Sequence, residues 1–153
     1  MTGLIIIATG GILHAHFAQQ VLKTDMTDAD QIVGTRKFLM QAVKVSMIDL
    51  SKKQKAGHIK DISANGTSIA AIATVMPPLF KDRHPKSYPF KGSKSYFKGA
   101  ASADFESASE KLRAAGMATM QAAEKADPTE LDSGIGALKS SCGSCHATFR
   151  GKY

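Results

Sequence analysis

The segment from Asp127 to Arg150 constrains the fold more than any other. Asp127-Pro128-Thr129-Glu130 has the form of a helix start: a side-chain acceptor at the N-cap, a proline at N1 and a glutamate at N3. Leu131, Ile135, Leu138, Cys142, Cys145 and Phe149 then follow at spacings of four, three, four, three and four residues. That periodicity predicts a helix to about Arg150 with one buried stripe, and both cysteines lie on the stripe.

Three further segments carry helical patterns. One runs from about Asp28 to Lys52, opened by Thr27 with Asp30 as a shortened capping-box partner and Asp28 in the first turn. Its stripe holds Met40, Val43, Met47 and Leu50, and Arg36 extends the same line one turn earlier. The next runs from about His58 to Met76, with Ile59, Ile62, Ile69, Ile72 and Val75 at helical spacing. Gly66 is its weak point and Pro77-Pro78 its expected stop. The third, from about Ser102 to Lys125, carries Phe105, Leu112, Met120 and many alanines, which allow close approach of neighbouring helices. Residues 77 to 99 lack helical periodicity and hold four of the five prolines, and no segment alternates as a strand would over a useful length. The expectation is an all-α protein: an antiparallel four-helix bundle with one long loop between the second and third helices. A chain of 153 residues suits one such domain.

Met1 to Ala18 contain no charged residue, and Leu4 to Leu13 form an apolar run broken by Gly10 and Gly11. The run is too short to span a bilayer as a helix and ends in small residues, so 1–18 read as a signal peptide for export to the periplasm. The start lacks a basic residue, and His16 stands where a cut after Ala18 would want a small side chain. The mature domain is expected over 25–153, with no stable membrane insertion once the leader is removed.

Twenty basic against thirteen acidic residues leave a net charge of +7, and most of it sits in the long loop. There Lys81, Arg83, Lys86, Lys91, Lys94 and Lys98 face only Asp82. The loop also holds Tyr88, Phe90, Tyr96 and Phe97, a mixture that superficially suits single-stranded nucleic acid. For an exported protein the expectation is instead a solvated loop whose aromatics tuck over the bundle and whose charge favours acidic partner proteins, with no nucleic acid bound.

Cys142-Gly143-Ser144-Cys145-His146 contains the only two cysteines of the chain. On a helix these cysteines and the histidine stand at i, i+3 and i+4 and project to one face. Two thioether bonds can hold a porphyrin edge there while His146 reaches the iron, which is the spacing of c-type haem attachment. A structural zinc site would need a second pair of ligands, and no second cluster exists. A thioredoxin-like dithiol belongs at the strand-to-helix turn of an α/β fold, not on the last helix of a helical chain. Attachment of one haem per chain also agrees with export, because c-type maturation in bacteria occurs outside the cytoplasm.

Only seven residues follow His146, so any group on the far side of the iron comes from upstream. On the residues Cys142 to Arg150 and Arg36-Lys37-Phe38-Leu39-Met40, the chain resembles the cytochrome c-prime family, the class II c-type cytochromes, over about Asp25 to Tyr153. The resemblance implies an exported, non-enzymatic four-helix bundle with haem c bound through Cys142 and Cys145 and His146 as proximal ligand. It also implies that Met40 faces the distal side of the iron. In a low-spin branch of the family methionine at that position ligates iron; in high-spin members an apolar or aromatic residue leaves the iron five-coordinate and open to NO or CO. Met40 resembles the first. A methionine on an apolar stripe also serves as core filler, and then it would only line the distal pocket.

The same resemblance pairs Arg36 with a haem propionate and sets Arg150 beside the proximal ligand. Geometry permits the first, since Arg36 and Met40 at i and i+4 share a face and a guanidinium suits a carboxylate; the alternatives are a surface arginine at Arg36 and a solvated charge favoured at a helix C-terminus at Arg150. His14, His16, His58 and His84 lie off the stripe of Met40 and read as bystanders. The resemblance also allows a homodimer through the first two helices.

Overall fold

The computed structural model describes residues 29–87 and 93–153. The leader, the helix-opening Thr27 and Asp28, and the loop residues Tyr88 and Phe90 lie outside the described residues. Four helices make up the bundle: α1 (Ala29–Lys55), α2 (Ser63–Leu79), α3 (Ser102–Lys125) and α4 (Pro128–Phe149). The expected all-α four-helix bundle is therefore what the chain forms. One addition is a short antiparallel ribbon, β1 (Ser95–Phe97) with β2 (Arg150–Lys152), in the register Ser95 to Lys152, Tyr96 to Gly151 and Phe97 to Arg150.

The helices begin and end for local reasons. At α4 the Asp127 side chain accepts hydrogen bonds from the N–H groups of Thr129 and Glu130, both at 2.9 Å, and Pro128 occupies the first turn. The last helix ends at Phe149 and not at Arg150, because Arg150 is extended and opens β2.

The second helix differs from expectation at both ends. A 3₁₀ turn at Lys60–Ile62 precedes α2, and α2 runs through Pro77 and Pro78 to Leu79. Prolines block only the bonds to carbonyls one turn upstream, so one final turn still forms. That turn is held by Arg36 of α1, whose Nε donates to the Leu79 carbonyl at 2.6 Å and whose Nη2 donates to the Asp82 carbonyl at 2.5 Å. A cation on the free carbonyls of a helix C-terminus satisfies both their hydrogen bonding and the helix dipole.

The core follows the predicted stripes, with two corrections in α2. Val43 and Leu50 of α1, Phe105 and Leu112 of α3, and Leu131, Ile135, Leu138 and Phe149 of α4 are all buried. In α2, Ile62 and Ile69 are buried as expected, but Val75 is half exposed and Ala73, Met76 and Leu79 take the inner face. Starting the α-helix later, after the 3₁₀ turn, rotates the face that meets the core.

Gly66 is a contact, not a weak point. A Cβ on Gly116 of α3 would stand 2.9 Å from the Gly66 carbonyl oxygen and 2.9 Å from the Ala70 nitrogen, so α2 and α3 meet backbone to backbone. Gly116→Val is expected to push these helices apart and cost about 1–3 kcal/mol of stability, read as a lowered urea midpoint with an unchanged haem spectrum.

Close backbone packing joins α1 to α2, α2 to α3 and α3 to α4, but no comparable packing joins α1 to α4. The first helix is tied on by polar groups. Buried Asn65 of α2 donates to the Ser46 carbonyl at 3.1 Å and to Asp49 Oδ2 at 2.9 Å, while Lys53 donates to Asn65 Oδ1 at 3.0 Å. At the far end Gln54 Nε2 donates to Asp132 Oδ1 at 2.7 Å, the tie between α1 and α4.

Candidate functional site

Cys142 and Cys145 lie one turn apart on α4, half-buried, with free thiols, and both pack against the hydrophobic core. Burial pushes both thiols above their ordinary range, and Cys142 adds to the effect at Cys145. His146 is on the same helix, at the next residue. Partial desolvation of its ring, and then the positive charge of Arg150, hold its pKa below the ordinary histidine value. Its imidazole is therefore neutral at neutral pH, the form in which a ring nitrogen can donate a lone pair to a metal.

Met40 is on the inner stripe of α1, partly buried against the same core as the two cysteines. The antiparallel arrangement sets its level. Met40 lies fourteen residues before Gln54, and His146 lies fourteen residues after Asp132, the residue to which Gln54 is bonded. At 1.5 Å per residue both stand about 21 Å from that bond, on opposing helices and at the same end of the bundle.

Arg36 is 3% exposed, so the surface reading of this side chain is wrong. Besides its bonds to Leu79 and Asp82, its guanidinium carbon lies 4.9 Å from the centroid of Phe80 and 5.3 Å from that of Phe97. Phe80 stacks on Phe105 at 4.5 Å, Phe97 meets Phe80 edge-on at 5.2 Å, and Phe105 meets Phe149 at 5.3 Å. This aromatic wall runs from the end of α2 to the end of α4, three residues beyond His146. Sequence reasoning missed Phe80 as a part of it. Its one signal was an aromatic residue directly after a helix stop.

Arg150 is exposed, extended and paired with Phe97 in the ribbon. Its charge reaches His146, but as the first residue of a strand it is not on the helical face that carries the motif. His58 is exposed beside Asp61 at 3.8 Å, and His84 lies in the loop after α2, so neither joins Met40 or His146. His14 and His16 lie outside the described residues.

Two thiols one turn apart, a neutral imidazole beside them, a thioether at the same level on the facing helix and two helices not closed on each other are a donor set that fits a covalently held porphyrin iron. The family model of Cytochrome C' matches residues 31–150. The chain belongs to the cytochrome c-prime family. No curated protein matches it. As a cytochrome c-prime it is a c-type cytochrome that carries covalently attached haem c, one per chain, and the four-helix bundle is the fold of the family. Among the described residues, no helix is long and apolar enough to cross a membrane.

Proposed function

We propose that this cytochrome c-prime is an exported, periplasmic, non-enzymatic electron carrier with His/Met-ligated low-spin iron. Cys142 and Cys145 attach the haem, His146 supplies the proximal nitrogen and Met40 supplies the distal thioether. What supports the reading is the level of Met40 and His146, each about 21 Å along its helix from the hydrogen bond between Gln54 and Asp132. Haem, when bound, supplies a one-electron iron couple.

The chain's own residues set the conditions for that couple. Met40 occupies the position at which an exogenous ligand would enter, and a methionine ligand favours the reduced state more than an open or anionic site does. The aromatic wall of Phe80, Phe97, Phe105 and Phe149 covers the apolar core at the end of the bundle where His146 lies. Arg36, held in place by carbonyls and two aromatic faces, keeps a permanent positive charge there, and in this reading that charge favours a nearby haem propionate. Arg150 adds a second charge on the proximal side.

The absorption spectrum of the ferric protein at neutral pH tests the ligation. Low-spin bands with the weak far-red sulfur-to-iron transition are expected, together with no binding of carbon monoxide by the ferrous form. High-spin iron that takes up carbon monoxide would overturn the carrier reading in favour of a gas-binding cytochrome in which Met40 only lines the pocket.

A further inference from the structure

We propose that the β1/β2 ribbon is the docking surface for an acidic electron-transfer protein. The inference rests on the electron-carrier reading and assigns it a place on the molecule. The ribbon joins the end of the basic loop to the residues that follow α4. Its ladder is extended on both sides, by the Lys98 N–H donating to the Phe149 carbonyl at 2.9 Å and the Tyr153 N–H donating to the Lys94 carbonyl at 3.3 Å.

Neighbouring strands lie about 5 Å apart, so this pairing brings Lys94 and Lys98, on the face of Tyr96, within a strand spacing of Arg150 and Lys152, on the face of Ser95 and Phe97, from segments some fifty residues distant in the chain. All four are exposed. Neither 93–100 nor 146–153 contains an acidic residue. Three cations elsewhere are paired, Lys53 with Asp49, Arg113 with Glu110 and Lys125 with Glu130. None of the ion pairs among the described residues involves the four of the ribbon.

The ribbon is also fixed and adhesive. Any side chain at Gly151 would run into the Tyr96 ring, so the ring lies flat on the backbone of β2. Phe97 is buried below, and Tyr153, 61% exposed, packs against Tyr96 at 5.2 Å. Tyrosines flanked by Lys94 and Lys98, with Arg150 and Lys152 at the edge, have the composition of a protein contact, and the charge sign selects a partner of the opposite sign. A second copy of this chain would bring like charges together. Since β2 begins four residues after His146, a partner seated there is held at the haem-bearing end of the bundle.

Two variants of the haem-loaded protein test the assignment. In one, Lys94, Lys98 and Lys152 become glutamine; in the other, Lys52, Lys55 and Lys60 at the opposite end do, with the same change in net charge. Oxidation of the ferrous protein by hexacyanoferrate(III) at low salt is expected to slow by about three- to tenfold in the first variant and by less than about twofold in the second. Oxidation by the tris(phenanthroline)cobalt(III) cation should change in the opposite sense. In a nuclear magnetic resonance titration of the wild-type protein with poly-glutamate, shifts should centre on 94–98 and 150–153. Equal slowing in both variants, or shifts centred elsewhere, would overturn the proposal, as would stronger binding of a single-stranded oligonucleotide or of anionic phospholipid vesicles than of poly-glutamate. High-spin iron would instead defeat the carrier reading alone, because the rate comparison still locates the field.

Discussion

Met40→Leu is expected to convert low-spin ferric iron to high-spin, abolish the far-red sulfur-to-iron band and open the ferrous form to carbon monoxide. Leucine preserves the apolar volume on the inner stripe of α1 and removes only the sulfur lone pair, so the bundle should hold its helicity. Loss of a thioether ligand lowers the reduction potential, because methionine stabilises the reduced iron relative to a vacant or water-filled position. The measurement is paired: an absorption spectrum for spin state and a redox titration for the potential. An unchanged spectrum would strike Met40 from the ligand set and leave it as packing. Met47→Leu, two stripe positions further along α1, serves as the control and should leave both readouts unaltered.

The second large effect is on attachment. In wild-type protein, acid-acetone treatment should leave the colour in the protein fraction and mass spectrometry should show polypeptide plus haem. Cys142→Ala together with Cys145→Ala is expected to lose all covalent haem, so that the same treatment extracts the colour completely. Either single substitution should retain one thioether bond and a shifted absorption maximum. The double variant should also be less stable, since it loses the packing and ligand contacts that a retained haem makes only in the folded state. Both thiols are half-buried on the core stripe, and alanine there removes little volume, so a fall in stability tracks the lost haem and not a cavity. Colour extractable from the wild type would overturn covalent attachment through these residues.

Much of this molecule was legible in its residues because the relevant forces act locally. The stripe from Leu131 to Phe149 and the cap at Asp127 are set by contacts within one or two turns, and both stand in the structure where the spacing puts them. The Arg36 to Leu50 line on α1 holds for the same reason. What escaped depends on groups far apart in the chain. The ribbon strands are three residues each, too short to alternate detectably, and they form because the loop returns to the end of α4. Arg36 was readable on the inner line of α1, but not its partners, because they are backbone carbonyls more than forty residues away and a carbonyl has no sequence signature. Pro77 and Pro78 were expected to stop α2 for want of any visible reward for one more turn, and that reward comes from α1. At the haem site itself, the chemistry on α4 is local and readable. The resemblance alone suggested Met40 for the distal side, and the level at which Gln54 meets Asp132 supports that proposal.

The manner in which α1 is attached has a consequence for how such a protein can change. The other three helices pack in series, α2 on α3 and α3 on α4, whereas α1 packs closely on α2 alone, with Val43 and Leu50 in the core and polar ties at Asn65, Arg36 and Gln54. Met40 is only partly buried on this helix, so a substitution at position 40 is expected to leave the bundle folded. Under the ligation proposed above, the residue there is free to drift from ligand to bystander and back.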